Sequence, residues 1–189
     1  MNIIDKILVD PITRGLKFFT KGGVPAYITQ VRGRTDGSAV PAGEIGETIS
    51  SSTIAQTSTV SANTFIDVTG ASLPLTKGNW LVHFTGQMRM RNLSGSIRDL
   101  AGKLSLTDSA NNQISGGTVS LTNSVWPVST DTTTNQSFTL NLSITVDTTY
   151  KLRLQCNESN GNGTFVINTG AQSFDAFDCV PLFYAIRLP

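Results

Sequence analysis

The residue types that do chemistry are few in this chain of 189 residues. Histidine occurs once, as His83, in the middle of the alternating run NWLVHFTGQMRMR. It falls on the polar side of that run and reads as a surface or interface residue, so neither a catalytic triad nor a multi-histidine metal site is expected. Cys156 and Cys179 form no CxxC pair. They read as two small buried apolar side chains rather than a zinc site or a disulfide framework. The closest carboxylates in the C-terminal region are Asp175 and Asp178, in FDAFD, with Glu158 not far upstream. They lack the organised oxygen spacing of a calcium loop, and nothing nominates a carboxylate pair for glycoside hydrolysis. The SGG and GNG stretches sit between strand-like runs, not between a strand and a helix, so they are not phosphate loops. No enzyme activity, cofactor or metal is expected.

What remains is binding. Arg89 and Arg91 point to the polar side of their run, and with Lys151 and Arg153 they are expected to line one polar sheet face. Such a face is either plainly solvated or a subunit contact or ligand groove. Trp126, just before Pro127, reads either as a sugar-stacking loop residue or as a loop tryptophan tucked into the core. Arg89, Arg91 and Trp126 are therefore the candidate interface or glycan contacts. The net charge of +1 and the scarcity of aromatics beside the arginines argue against a nucleic-acid partner.

The elements that must position these residues read as β-strands. In NWLVHFTGQMRMR, Trp80, Val82, Phe84, Met88 and Met90 alternate with polar residues. SFTLNLSITV repeats the rule with Phe138, Leu140, Leu142, Ile144 and Val146 inward. YKLRLQC follows with Tyr150, Leu152, Leu154 and Cys156 inward. A DTT turn between the last two runs predicts an antiparallel hairpin. TFIDVTG, GKLSLTD, GTVSLTN, GTFVINTG and the terminal PLFYAIRLP bring the count to about eight or nine strands. No stretch of the domain has a helical period. Clean alternation means sheets with one buried face. The fold class is all-β, an antiparallel jelly-roll-like sandwich preceded by an extended N-terminal anchoring arm.

Three segments are expected: residues 1–35 as an arm, 36–52 as hinge and lead-in, and 53–189 as the sandwich. The arm carries Lys6, Arg14, Lys17, Lys21, Arg32 and Arg34 against Asp5 and Asp10. Such asymmetry marks a segment that meets a partner surface. Ile3, Ile4, Ile7 and Leu8 are expected on one face of a short helix ended by Pro11. Together with Arg14, Phe18 and Phe19 they are the candidate anchor residues, and AYITQVRG reads as a short strand. Charged residues make up 14% of the chain, below the typical quarter, so Ser, Thr, Asn and Gln fill its surface. No secretory signal is visible, since Asp5 and Lys6 interrupt the only early apolar run. No apolar run approaches membrane-spanning length.

The stretch DGSAVPAGEIGETISSS followed by TFIDVTGASLPLTKGNWLVHFTGQM resembles bacteriophage tail-fibre and related virion proteins. In those a G-x-I/V-G-E segment leads into the domain, and an L-x-L-x-x-G-x-W stretch precedes a long alternating strand. The matching residues are Gly43, Ile45, Gly46 and Glu47, then Leu73, Leu75, Gly78 and Trp80. The resemblance covers roughly residues 36–90. It implies a virion structural component, assembled in a host cytoplasm and often homotrimeric. The N-terminal arm would dock on other virion proteins of the tail, neck and portal, or capsid. The outer domain would project and contact a host-surface glycan or protein. Alternatives are a capsid decoration or head-fibre protein and a free carbohydrate-binding module.

Overall fold

The computed structural model describes residues 4–9, 16–20, 25–26, 39–60, 64–92, 98–125, 131–157, 163–167 and 180–189. The chain divides into two compact units, Met1–Ser38 and Ala39–Pro189. In the first, β1 (Ile4–Val9) pairs antiparallel with β2 (Leu16–Thr20), and β2 with the short β3 (Pro25–Ala26). The helix expected around Ile4, Ile7 and Leu8 is thus a strand, with Ile7 opposite Phe18 and Lys6 opposite Phe19. A short apolar run fits either period, and isoleucine favours the pleated backbone.

The second unit is built from β4 (Thr48–Ser50), β5 (Thr57–Val60), β6 (Ile66–Leu75), β7 (Gly78–Asn92), β8 (Arg98–Thr107), β9 (Gln113–Val125), β10 (Asp131–Ile144), β11 (Thr148–Asn157), β12 (Gly163–Ile167) and β13 (Leu182–Leu188). The central strand of one sheet is β7. Along one edge it pairs with β10 in unbroken register, from Gly78 opposite Ile144 to Arg91 opposite Asp131. Its other edge is shared. β13 takes Asn79 to Thr85 and β12 takes Met88 to Asn92, both antiparallel. Beyond them lie β4 and β5 respectively. So β12 and β13 are two halves of one strand line, and β4 and β5 are two halves of the next. The second sheet has the order β6-β11-β8-β9.

Counting each broken line once leaves eight strands in sequence order. They form two antiparallel sheets ordered 1-8-3-6 and 2-7-4-5, which is the jelly-roll connectivity. The core fills the space between the sheets. Trp80, Val82, Phe84, Met88 and Met90 are fully buried, as the alternation predicts. So are Leu73, Leu75, Leu104, Leu106, Leu152, Leu154 and Cys156. Cys179 lies outside the described residues.

The expected hairpin does not form. β10 pairs with β7 and β11 pairs with β6 and β8, so residues 145–147 cross from one sheet to the other. Alternation reports which side chains face the core, and that is the same whether the next strand lies beside or opposite. Val146, expected inward, sits on this corner and is 73% exposed. The two-residue link between β6 and β7 is a second such corner, and the Lys77 amide donates to the Asp147 carboxylate at 2.7 Å, tying the two together. The one short hairpin of the second sheet joins β8 to β9, where Asp108 accepts the amides of Ala110 and Asn112.

β4 and β5 are separated because the chain between them leans onto the other sheet. The Ser52 hydroxyl donates to the Gly70 carbonyl and the Ala55 amide to the Thr69 carbonyl. There β6 shifts register against β11. Gly70 has φ +84°, and a side chain at that position would collide with the Thr53 carbonyl.

Candidate functional site

The lead-in to the sandwich is pinned by a buried cluster. The last strand places Phe183 and Ala185 on the core face, and the same parity puts Arg187 there too. A buried guanidinium needs partners for its donors. Arg187 Nε donates to Glu47 Oε2 at 2.8 Å, and Nη1 donates to the Lys77 carbonyl at 2.9 Å. Nη2 donates to the Thr76 hydroxyl. The guanidinium lies over the Trp80 ring, 4.3 Å from its centroid, and the Trp80 indole N–H donates to the Thr76 carbonyl. Glu47 also accepts the Gly43 amide at 2.8 Å. The backbones of Gly46, Glu47 and Arg187 exchange two further bonds of 2.9 Å.

Three glycines shape this. Gly43 and Gly46 have φ of +85° and +89°, which turns the lead-in back on itself. Gly78, at φ +144°, leaves the space that Arg187 Nη1 occupies. Gly43, Gly46, Glu47, Gly78 and Trp80 of the G-x-I-G-E and G-x-W stretches therefore meet in one place. Nothing in that constellation can attack a substrate. It is a clamp between the incoming chain and the first turn of β7.

The clamp also fixes a polarity. At its end of the sandwich lie the turns 76–77, 108–112 and 145–147 and the C-terminal Pro189, whose carbonyl accepts from Asn79. At the opposite end lie Val60, Asn92, Arg98, Val125, Asp131, Asn157 and Gly163, paired or flanking one another across both sheets. The connections 61–65, 93–97, 126–130 and 158–162 leave from there.

The outer faces of the two sheets differ in chemistry. Arg89 and Arg91 lie half-buried on the outer face of the β7 sheet, while Lys151 and Arg153 lie on the outer face of the β11 sheet. The single polar face expected for these four residues is thus two faces on opposite sides of the sandwich. Alternation cannot reveal which sheet a strand joins.

On the β11 side, Asp67 accepts from Lys151 at 2.8 Å and from Arg153 at 2.7 Å. The Lys151 hydrogen bond, opposed by desolvation and joined by the Lys151 charge and the Arg153 hydrogen bond and charge, holds the Asp67 carboxyl below its ordinary range. Arg153 also donates to the Phe65 carbonyl, and the half-buried Phe65 ring lies between Arg153 and Lys103, 5.6 and 5.7 Å from its centroid. Lys103 donates to Gln113. This face offers a ring edge, amide and ammonium donors, and three cations to one carboxylate.

On the β7 side, His83 is half-buried. Its Nδ1 lies 2.7 Å from the Thr139 hydroxyl, and its ring contacts Tyr184 at 5.2 Å. Around them Leu81 and Ile186 are half-exposed and Leu182 is 53% exposed. Near the clamp end, burial and then the neighbouring Asp108 charge raise the Tyr150 phenol. Among the described residues no group of three or more His, Cys, Asp or Glu is placed to hold a metal ion.

Of the sequence candidates, Ile4, Ile7 and Leu8 are in β1, and Phe18 and Phe19 are in β2. Ile3, Arg14 and Trp126 lie outside the described residues, as do Glu158, Asp175 and Asp178. The residues missed from sequence are Arg187, Phe65 and Lys103. Arg187 had a signal, because a charged residue at a core-parity position of a strand demands a buried counter-ion. Phe65 and Lys103 had none, since they are brought together by sheet order.

No protein-family model matches the chain. No curated protein matches it either. Solved structures do. An Eiger TNF from S. frugiperda aligns with a TM-score of 0.40 at 8% identity, over 77% of this chain and 94% of that one. Infectious bursal disease virus of the Gx strain aligns with a TM-score of 0.35 at 15% identity, over 93% of this chain. The Gt strain gives 0.33 at 16%, over 91%. The chain spans 43% of the length of each of those two virus chains.

Proposed function

We propose that the chain is a structural protein of a bacteriophage particle, a tail or neck fibre or receptor-binding component anchored through Met1–Ser38. The observation that carries this reading is the polarity of the jelly roll. The chain enters at a clamped end whose turns are residues 76–77, 145–147 and 108–112, and four connections, 61–65, 93–97, 126–130 and 158–162, leave from the other end. An element that is held at one end and presents loops at the other suits a projection from a larger assembly. The resemblance of residues 36–90 to tail-fibre proteins supports it, because five of the matching residues, Gly43, Gly46, Glu47, Gly78 and Trp80, build the clamp. Met1–Ser38 supplies a separate small sheet with an excess of basic residues, suited to docking on another protein. A capsid decoration or head-fibre position uses the same logic with a different docking surface.

The test uses particles of a phage from which this chain has been deleted. Full-length protein should bind them at defined positions visible by immunogold labelling, and a form lacking residues 1–38 should not. Labelling on the tail or neck supports the fibre reading, and labelling over the capsid supports decoration. Absence of full-length protein from particles overturns both. The cation-flanked Phe65 ring favours a second reading, a carbohydrate-binding module. That reading requires glycan binding by the isolated chain and no association with particles.

A further inference from the structure

The outer face of the β6-β11-β8-β9 sheet carries an uneven charge. Register sets its layout. Arg153 lies opposite Asp67 on one side and Ser105 on the other. Gln155 lies opposite Lys103, and Lys103 lies opposite Ser120 on β9. Among the described outward side chains of these strands the charged ones are Asp67, Lys103, Lys151 and Arg153. Asp67 pairs with Lys151 and Arg153, so one negative charge stands against three positive ones. Lys103 meets an amide in place of a carboxylate, donating to Gln113 at 2.9 Å.

The cations are also held in place. The Arg153 and Lys151 side chains are only 18% and 24% exposed. Arg153 uses Nε on Asp67 and Nη2 on the Phe65 carbonyl. Arg153 and Lys103 both stand over the Phe65 ring. Donors fixed in this way lose little freedom when an anion arrives. The patch lies toward the end from which the connections leave. Phe65 precedes the Ile66 end of β6, while Leu75 at the other end pairs with Thr148, beside the corner 145–147.

We propose that this patch binds a carboxylated saccharide, with the acid group at Arg153 and Lys103 and the sugar against the edge of Phe65. The excess of positive charge attracts an anion, and a planar guanidinium recognises a carboxylate. The surroundings select a saccharide over an acidic peptide. Gln113, Gln155, Thr118 and Ser120 supply amides and hydroxyls that match sugar hydroxyls. β11 and β8 are each paired on both edges, and Phe65 is the one ring of the patch. A peptide would therefore find neither a strand edge nor a row of side-chain pockets there. The inference rests on the receptor-binding reading above and adds the chemistry of the ligand.

The test is calorimetric titration of the full-length chain with two pairs of probes. Oligogalacturonate is compared with its methyl ester, and sialyllactose with lactose, so that each pair differs in the acid group. One acid at least should bind about tenfold or more tightly than its neutral partner and than polyglutamate. Binding should weaken as salt is raised from about 50 to about 300 mM. Lys103→Gln should weaken it by roughly tenfold. Lys77→Gln, the same loss of charge at an exposed position on the clamp end, should leave it unchanged. Binding of neither acid overturns the proposal. So does equal binding of the neutral partner or of polyglutamate, or an equal loss in the two variants, which marks an effect of net charge alone. The acid-against-neutral comparison is made on the native chain, so it decides even where Lys103→Gln fails to fold. A chain that labels particles and binds neither acid overturns this inference alone, and one that binds an acid and never labels particles overturns the virion reading alone.

Discussion

Arg187 donates to the Glu47 carboxylate at 2.8 Å across 140 residues of sequence, and the pair is almost wholly buried. This contact closes the domain, joining the segment that leads into the first strand to the strand that ends the chain. Arg187 is also held by the Trp80 ring and by the β6 to β7 corner. The pair is therefore satisfied on all sides rather than isolated in the core.

Removing one partner of such a pair leaves an uncompensated charge. Glu47→Ala should cost about 3 kcal/mol or more of unfolding free energy. A Glu47→Leu/Arg187→Met double variant should lose less than Glu47→Ala, because it buries no lone charge. Urea denaturation of the three proteins checks both statements. A loss below about 1 kcal/mol for Glu47→Ala would show that water reaches the guanidinium.

Phe84→Asp should abolish folding. Phe84 is fully buried at the centre of β7 and its ring packs on Phe138 at 5.6 Å. A carboxylate there has no cation to meet and faces a desolvation cost of several kcal/mol. The measurement is circular dichroism with a thermal melt, and a cooperative transition near that of the native chain would contradict the face assignment.

Asp67 makes a pH-dependent contribution whose sign follows from its lowered pKa. In the unfolded chain it titrates near its ordinary value of about 3.9, and in the folded chain below that. Its stabilisation is therefore complete above about pH 5 and is lost as the pH falls from about 3.9 through the folded value. The side chain is 55% exposed, so solvent screening keeps the effect below about 1 kcal/mol. The stability gap between the native chain and Asp67→Asn should be constant between pH 5 and 7 and close toward pH 3. A gap that widens on acidification would contradict the assignment.

Gly70→Ala should destabilise by roughly 1–3 kcal/mol, since it combines a left-handed backbone with a collision against the Thr53 carbonyl. The measurement is the urea midpoint. A neutral effect would mean that the β6 bulge relaxes freely.

Deleting residues 1–38 should leave a β-rich protein with a cooperative melt, because Ala39–Pro189 forms a compact unit with its own core. The boundary matters. Deletion to residue 52 would also remove β4 and Glu47, and should expose Arg187 and lower the melting temperature markedly.

The candidate site was legible only in pieces. Alternation placed Arg89, Arg91, Lys151 and Arg153 outward correctly, yet it assigned them to one face. Their separation depends on β10 and β11 belonging to different sheets, which a three-residue turn does not disclose. The G-x-I-G-E and G-x-W stretches stood out as a resemblance, but their physical sense needed Arg187, far along the chain. Phe65 and Lys103 became neighbours only through the order β6-β11-β8.

The sequence by itself determined the β-architecture and the buried face of β7 and β11. A period of two is local, and hydrophobic burial enforces it residue by residue. It also set the break in charge and composition near residue 36. Only the tertiary structure decided which strands lie side by side, where the corners fall, and that the ends of the domain are clamped by a buried ion pair. Those relations are made by hydrogen bonds and packing between residues distant in sequence. Each strand presents two equivalent edges, and nothing in its own residues says which neighbour will take them.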